Sequence, residues 1–82
     1  MSDNRITWRM PQLGNGVETA VIQEWLVGAG EPVSEGEPVV VVETDKATSD
    51  LESPVTGTLA AVLAQDGAEV EVGEPIAEFD RA

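Results

Sequence analysis

The apolar positions of this chain fall in short bursts broken by glycine, proline and acids, and the bursts repeat. When the chain is slid along itself so that Gly30 meets Gly67, Val33 meets Val70 and Gly36-Glu37-Pro38 meets Gly73-Glu74-Pro75. Upstream, Thr19 meets Thr56, Ile22 meets Leu59 and Leu26 meets Leu63. Downstream, Val39 meets Ile76 and Val42 meets Phe79. The register runs without a gap from Val17–Val42 to Pro54–Phe79. Two copies do not make a solenoid; they predict one domain built from two similar halves.

Each half reads as short strands. Val39–Glu43 is β-branched and too short for a helix. Pro38 and Pro75 open the matching runs, a position strands tolerate. Residues 28–37 and 65–74 hold turn material, and Asn15-Gly16 and Asp66-Gly67 are turn dipeptides. Ala20–Val27 is strand-like. Thr58–Ala64, "TLAAVLA", has good helix propensity, but it aligns with a strand-like segment and follows Gly57, so it is expected as strand. The pattern predicts a small all-β sandwich or barrel. Its expected core is Val21/Thr58, Ile22/Leu59, Trp25/Val62, Leu26/Leu63, Val33/Val70, Val39/Ile76 and Val42/Phe79.

Composition narrows the function. The 82 residues form a single domain, 1–82 with its core over about 6–80, of a size that buries roughly 60% of its unfolded surface. There is no cysteine to crosslink it and no Cys/His cluster for a structural metal. No calcium-loop spacing occurs, so no metal is expected. No apolar run approaches a membrane span, and residues 1–9 lack signal-peptide or transit-peptide character; a cytoplasmic location is expected. The formal net charge is −12, which disfavours nucleic acid and anionic membrane as partners. The acidity serves solubility, and it also suits basic partner surfaces. His, Cys and Tyr are absent, so the usual nucleophile and acid–base sets are missing and no catalysis by the domain itself is expected.

One residue stands out. Lys46 is the only lysine, in the segment joining the two halves. Val39–Glu43 enters that segment and Ser49–Ser53 leaves it, so the residues between are expected to form a hairpin turn with Asp45 and Lys46 at its tip. Neither residue has glycine's backbone freedom, which favours a type I turn over the primed types. Such a turn holds one amine out in water. An ordinary solvated turn lysine has the same geometry; what distinguishes Lys46 is that it is single and sits at the joint of the repeat.

The stretch "ETDKATSDLESPVTGTL" resembles the lipoyl-attachment site of lipoyl domains in the acyltransferase components of 2-oxo acid dehydrogenase complexes, within the biotinyl/lipoyl carrier family. The matching residues are Asp45-Lys46-Ala47, the apolar Leu51 and Gly57-Thr58-Leu59. The opening "MPQLGNGVETAVIQEWLVGAGEPV" is similar to the family's first strand and loop, and the likeness spans about Ile6 to Asp80. An isolated Asp-Lys-Ala would carry no weight; its context does. The resemblance implies a flattened barrel of two four-stranded antiparallel sheets with quasi-twofold symmetry, Lys46 at a hairpin tip and the termini at the other end. It implies lipoic acid amide-linked to Lys46, with Asp45 and Ala47 identifying that lysine to a lipoate-attaching enzyme. The arm would shuttle acyl groups and reducing equivalents between a thiamine-dependent decarboxylase, an acyltransferase core and a dihydrolipoyl dehydrogenase, with the domain itself monomeric.

The loop of Gly14, Asn15, Gly16, Val17 and Glu18, by the same resemblance, lies near the hairpin and helps a decarboxylase recognise its own domain; a glycine-permitted surface turn is the plainer reading. Glu43, Asp50 and Glu52 are candidates for partner contact and equally for solvated strand faces. Asn15 stands where an acid is common, and Ser49 where an apolar residue is common, which leaves the particular complex open. A biotin carrier shares the implied fold, but its lysine is usually flanked by methionine, and neither Met1 nor Met10 is near Lys46. The glycine-cleavage carrier is longer. An unmodified binding domain of the same fold is the remaining alternative.

Overall fold

A computed structural model describes residues 4–82. The chain forms eight strands: β1 (Arg5–Arg9), β2 (Thr19–Trp25), β3 (Pro32–Val33), β4 (Pro38–Glu43), β5 (Thr48–Glu52), β6 (Gly57–Val62), β7 (Glu69–Glu71) and β8 (Pro75–Arg81). They make two four-stranded sheets, ordered β1-β8-β6-β3 and β5-β4-β2-β7, in which all pairs are antiparallel. The molecule is elongated, 38 × 21 × 20 Å. Thr58–Ala64 is strand through Val62: β6 finds backbone partners on both β3 and β8, which outweighs its helix propensity.

The sequence repeat is a structural twofold. β2 corresponds to β6, β3 to β7 and β4 to β8, while β5 and β1 hold matching edge positions in the two sheets. Even the irregularities are duplicated. The β2–β4 pairing shifts between Ile22 and Glu24, and the β8–β6 pairing between Leu59 and Ala61. The β4–β5 pairing shifts at Pro38/Val40, and β8–β1 at the matching place. Cross-links correspond too: Leu26 N–H donates to Val39 O as Leu63 N–H donates to Ile76 O, and Gly30 N–H to Leu59 O as Gly67 N–H to Ile22 O.

These bulges decide which side chains face inward. A bulge adds one residue to a strand and reverses the in–out alternation beyond it. Past Gln23 and Ala60, therefore, Trp25 and Val62 turn partly inward, and Leu26 and Leu63 turn outward. Leu26 and Leu63, expected in the core, are 46% and 49% exposed. Val21 and Thr58 are half-buried. The other expected pairs, Ile22/Leu59, Val33/Val70, Val39/Ile76 and Val42/Phe79, are buried. The second pair of bulges lets neighbouring residues both point inward, so Val40 and Ala77 join Val39 and Ile76 in the core. Met10, Ala20, Leu51, Val55 and Ala64 complete it, and Trp8 meets Phe79 edge-on with ring centroids 5.5 Å apart. Ser53, although buried, is satisfied: its hydroxyl donates to Val55 O at 2.6 Å.

Asn4 and Ala82 lie away from the β4–β5 turn. β5 runs from that turn to Glu52, and beyond it Thr56 O accepts from Ala82 N–H while Asn4 O accepts from Arg81 N–H. Arg5 clasps Asp80 and Glu78 there. Its guanidinium is held above its ordinary pKa by the hydrogen bond and charge of Asp80 first, with Glu78 adding to the effect.

Candidate modification site at the β4–β5 turn

Glu43 and Thr48 are the last paired residues of β4 and β5, so Thr44–Ala47 is the turn. No described residue other than glycine has positive φ, which excludes the primed turns at Asp45 and Lys46. Thr44 organises the tip. Its N–H donates to Ala47 O at 2.9 Å, and its hydroxyl donates to the same oxygen at 3.1 Å. That hydroxyl also accepts from Lys46 N–H and Ala47 N–H, both at 3.2 Å. A side-chain oxygen thus closes a turn that a carbonyl would close in the simple type I form. Thr44 was not among the residues singled out from sequence; a hydroxyl residue entering a turn was the available signal.

Asp45, Lys46 and Ala47 are all exposed. Among the described residues Lys46 makes no ion pair. Its Nζ donates instead to a neutral acceptor, Asn15 O, at 3.2 Å. The structure thereby brings the Gly14–Glu18 loop to the lysine.

The loop exists because the twofold is broken there. Met10 and Ser53 are equivalent: Met10 exchanges backbone bonds with Glu74 and Gly73, as Ser53 does with Glu37 and Gly36. From Ser53 the chain enters β6 at once, at Gly57. From Met10 it makes a detour before β2 begins at Thr19. Within the detour, Val17 N–H donates to Gly14 O at 3.2 Å. Gly16, with φ 77°, takes the third position, which is the type II pattern and suits glycine. Gln12 Nε2 donates to Gly14 O at 2.5 Å and to Val17 O at 2.9 Å, clamping the turn. Val72 N–H donates to Glu18 O at 2.9 Å and ties down its far side. Gln12 gave no signal in the sequence, since only the fold aims its amide at two carbonyls.

Gly14, Asn15, Gly16 and Glu18 are exposed, whereas Val17 is 5% exposed and anchors the loop by its side chain. Gly16, Val17, Glu18, Thr19 and Asp45 line an open groove of about 480 Å³ between loop and turn. Glu43, Asp50 and Glu52 point to solvent on β4 and β5. Chemically, the site offers one accessible primary amine on a turn fixed by two strands. Acylation of that amine would leave one N–H, enough to keep the bond to Asn15 O.

The biotin/lipoyl family model, described as "biotin-requiring enzyme", matches residues 6–79. The dihydrolipoyllysine-residue acetyltransferase component of the pyruvate dehydrogenase complex of Corynebacterium glutamicum is 40% identical over 73 residues, 89% of this chain and 11% of that protein. The corresponding component from Acholeplasma laidlawii is 37% identical, over 89% of this chain and 13% of its own length. The lipoamide acyltransferase component of the branched-chain alpha-keto acid dehydrogenase complex of Bacillus subtilis is 37% identical, over 87% and 17%. The chain therefore spans less than a fifth of each of these relatives. A solved single-chain, multi-domain long-chain acyl-CoA carboxylase superposes on the whole chain with a TM-score of 0.82 at 22% identity, over 8% of that chain, and shares the fold.

Proposed function

This chain belongs to the biotin/lipoyl family, and from that premise we propose that it is a lipoyl carrier domain whose Lys46 Nζ is amide-linked to lipoic acid. The observation that carries the reading is the placement of the chain's one lysine, exposed at the tip of the β4–β5 turn and held by a neutral carbonyl rather than an acid. The names of the relatives favour lipoate over biotin, and so does the absence of methionine beside Lys46.

The residues fit such a group. The lysine is exposed in the turn between β4 and β5, flanked by exposed Asp45 and Ala47. Asp45 and Ala47 identify the lysine to a lipoate-attaching enzyme, and Thr44 fixes the direction in which all three are shown. A dithiolane amide-linked to Lys46 would supply the acyl-carrying and two-electron chemistry, its dithiol form being returned to the disulfide by the oxidant of a flavin-dependent dehydrogenase, so the hard chemistry would be the cofactor's. The domain supplies a fixed root for the arm. Tethering raises the arm's effective concentration at each partner site. Those partners are a thiamine-dependent decarboxylase, an acyltransferase core and a dihydrolipoyl dehydrogenase, and the Gly14–Glu18 loop with Glu43 and Asp50 forms the surface they meet.

Intact-mass measurement tests the reading, after co-expression with a lipoate-attaching enzyme and lipoate, with a biotin-attaching enzyme and biotin as the parallel arm. A lipoyl mass gain that Lys46→Ala abolishes is expected. No gain, a gain that survives Lys46→Ala, or a biotin gain alone would overturn it.

A further inference from the structure

Asn15-Gly16 is placed where a change in its own covalent structure would be felt by Lys46. Asn15 is exposed, and its main-chain carbonyl accepts from Lys46 Nζ at 3.2 Å. Gly16 follows it without a side chain to shield its nitrogen. Among the described residues, no hydrogen bond occupies either Gly16 N–H or the Asn15 side-chain amide. An asparagine followed by an unhindered glycine is the pair most prone to intramolecular imide formation. We infer that Asn15-Gly16 is a deamidation site that alters the reactivity of Lys46 and is gated by Gln12. Its importance for modification rests on the lipoyl reading; its chemistry does not.

The step balances with water as the sole co-reactant. Gly16 N attacks Asn15 Cγ; the N–Cγ bond forms, the Cγ–Nδ2 bond breaks, and ammonia leaves with the Gly16 proton. Water then opens the five-membered imide at one of its two carbonyls. Opening at Cγ gives aspartate. Opening at the former peptide carbonyl gives isoaspartate, in which the main chain runs through Cγ and the old carbonyl becomes a free carboxylate. That carbonyl is the one that accepts from Lys46. A neutral acceptor is thereby exchanged for an anionic one beside the amine, which favours the protonated, unreactive ammonium. Two unit charges about 4 Å apart in water favour the charged amine by roughly fivefold, less at high salt.

The turn sets the pace. Attack requires the Asn15 backbone to rotate so that Gly16 N faces Cγ, which breaks the turn bond from Val17 N–H to Gly14 O. Gln12 Nε2 grips both ends of that turn through Gly14 O and Val17 O, so it holds the chain away from the reactive shape. Gln12 is a positioning residue here and takes no part in bond making.

The test ages the unmodified chain in warm alkaline buffer. Peptide mapping follows isoaspartate and aspartate at residue 15, and a small amine-acylating ester measures the reactivity of Lys46. The aged chain should carry both products at residue 15, and its isoaspartate fraction should acylate at Lys46 about fivefold more slowly, a difference that shrinks in high salt. Gln12→Ala should deamidate several-fold faster, and Asn15→Gln should age without losing reactivity at Lys46. No conversion at residue 15, conversion with unchanged acylation of Lys46, or an equal rate in Gln12→Ala would each overturn the inference. Because a small ester reads the amine directly, a failed lipoylation assay would leave this result standing and would count only against the carrier reading.

Discussion

Gly57→Ala tests the twofold and the way it is broken. The residue matching Gly57 in the other half is Ala20, which keeps its methyl in the core at 3% exposed. Gly57 has no such room. A Cβ there would overlap Asp80 O and lie 2.9 Å from both Ala82 N and Arg81 Cα, all of them backbone. The difference arises at the strand ends. β6 and β8 remain paired through Gly57 and Arg81, whereas β2 and β4 stop at Val21 and Glu43, because Thr44 already belongs to the turn. Relieving the overlap means opening the Gly57–Arg81 pair and the bond from Ala82 N–H to Thr56 O. Two backbone bonds at about 0.5–1.5 kcal/mol each and an overpacking strain of about 1–3 kcal/mol oppose a chain-entropy gain of about 0.4–1 kcal/mol. The net is a destabilisation of about 3 kcal/mol, a large part of a total stability that is about 5–15 kcal/mol in small domains. The opposite exchange, Ala20→Gly, should also destabilise, by about 1.5 kcal/mol, through the lost methyl and the added backbone freedom. Urea unfolding followed by the fluorescence of Trp8 and Trp25 would measure both as a lower midpoint at unchanged slope. A Gly57→Ala chain as stable as the parent would refute the close approach of β6 and β8. Lys46, at the far end, should be modified at the parental rate in the folded Gly57→Ala chain.

Four further outcomes are expected. Leu26→Ser and Leu63→Ser should each shift stability by no more than about 0.5 kcal/mol, whereas Leu59→Ala should cost about 2–5 kcal/mol; the same urea titrations separate the two cases. Thr44→Val should slow modification of Lys46 while Thr44→Ser retains it, since both keep the bond from Thr44 N–H to Ala47 O but only a hydroxyl also accepts from Lys46 N–H and Ala47 N–H; initial rates by mass spectrometry decide this. Ser53→Ala should cost about 1–3 kcal/mol by leaving Val55 O buried without its donor, measured as a fall in the unfolding midpoint. Amidation of Lys46 should take the formal net charge from −12 to one unit more negative, so the modified chain should run ahead of the unmodified chain on a native gel.

Much of the fold was legible because the repeat supplied a second reading of each segment. "TLAAVLA" alone favours helix, and its alignment with Ala20–Val27 overrode that. What the repeat could not supply was the side on which a residue lies. Leu26 and Leu63 match each other faithfully and are both exposed, because a bulge earlier in each strand reverses the alternation in both copies. A bulge is one extra residue in a pairing, visible only once the partner strand is known. The same limit hid Val40 and Ala77. At the site, Lys46 and its turn could be read from strand runs on either side. Thr44 and Gln12 could not, since their roles depend on which backbone groups the fold sets within reach of a hydroxyl and an amide. Val17 is the converse case: it lies in the expected loop, but its side chain is spent on holding that loop down.

The pairing of Arg5 with Asp80 occupies, in one sheet, the place that Thr48 with Glu43 occupies in the other. One such place is bridged by a covalent turn carrying an amine; the other is bridged by an ion pair. The scaffold is therefore divalent in its geometry and monovalent in its chemistry. Joining Asp80 to Arg5 through a copy of Thr-Asp-Lys-Ala, with the chain opened at another exposed turn, would give a carrier with an arm at each end.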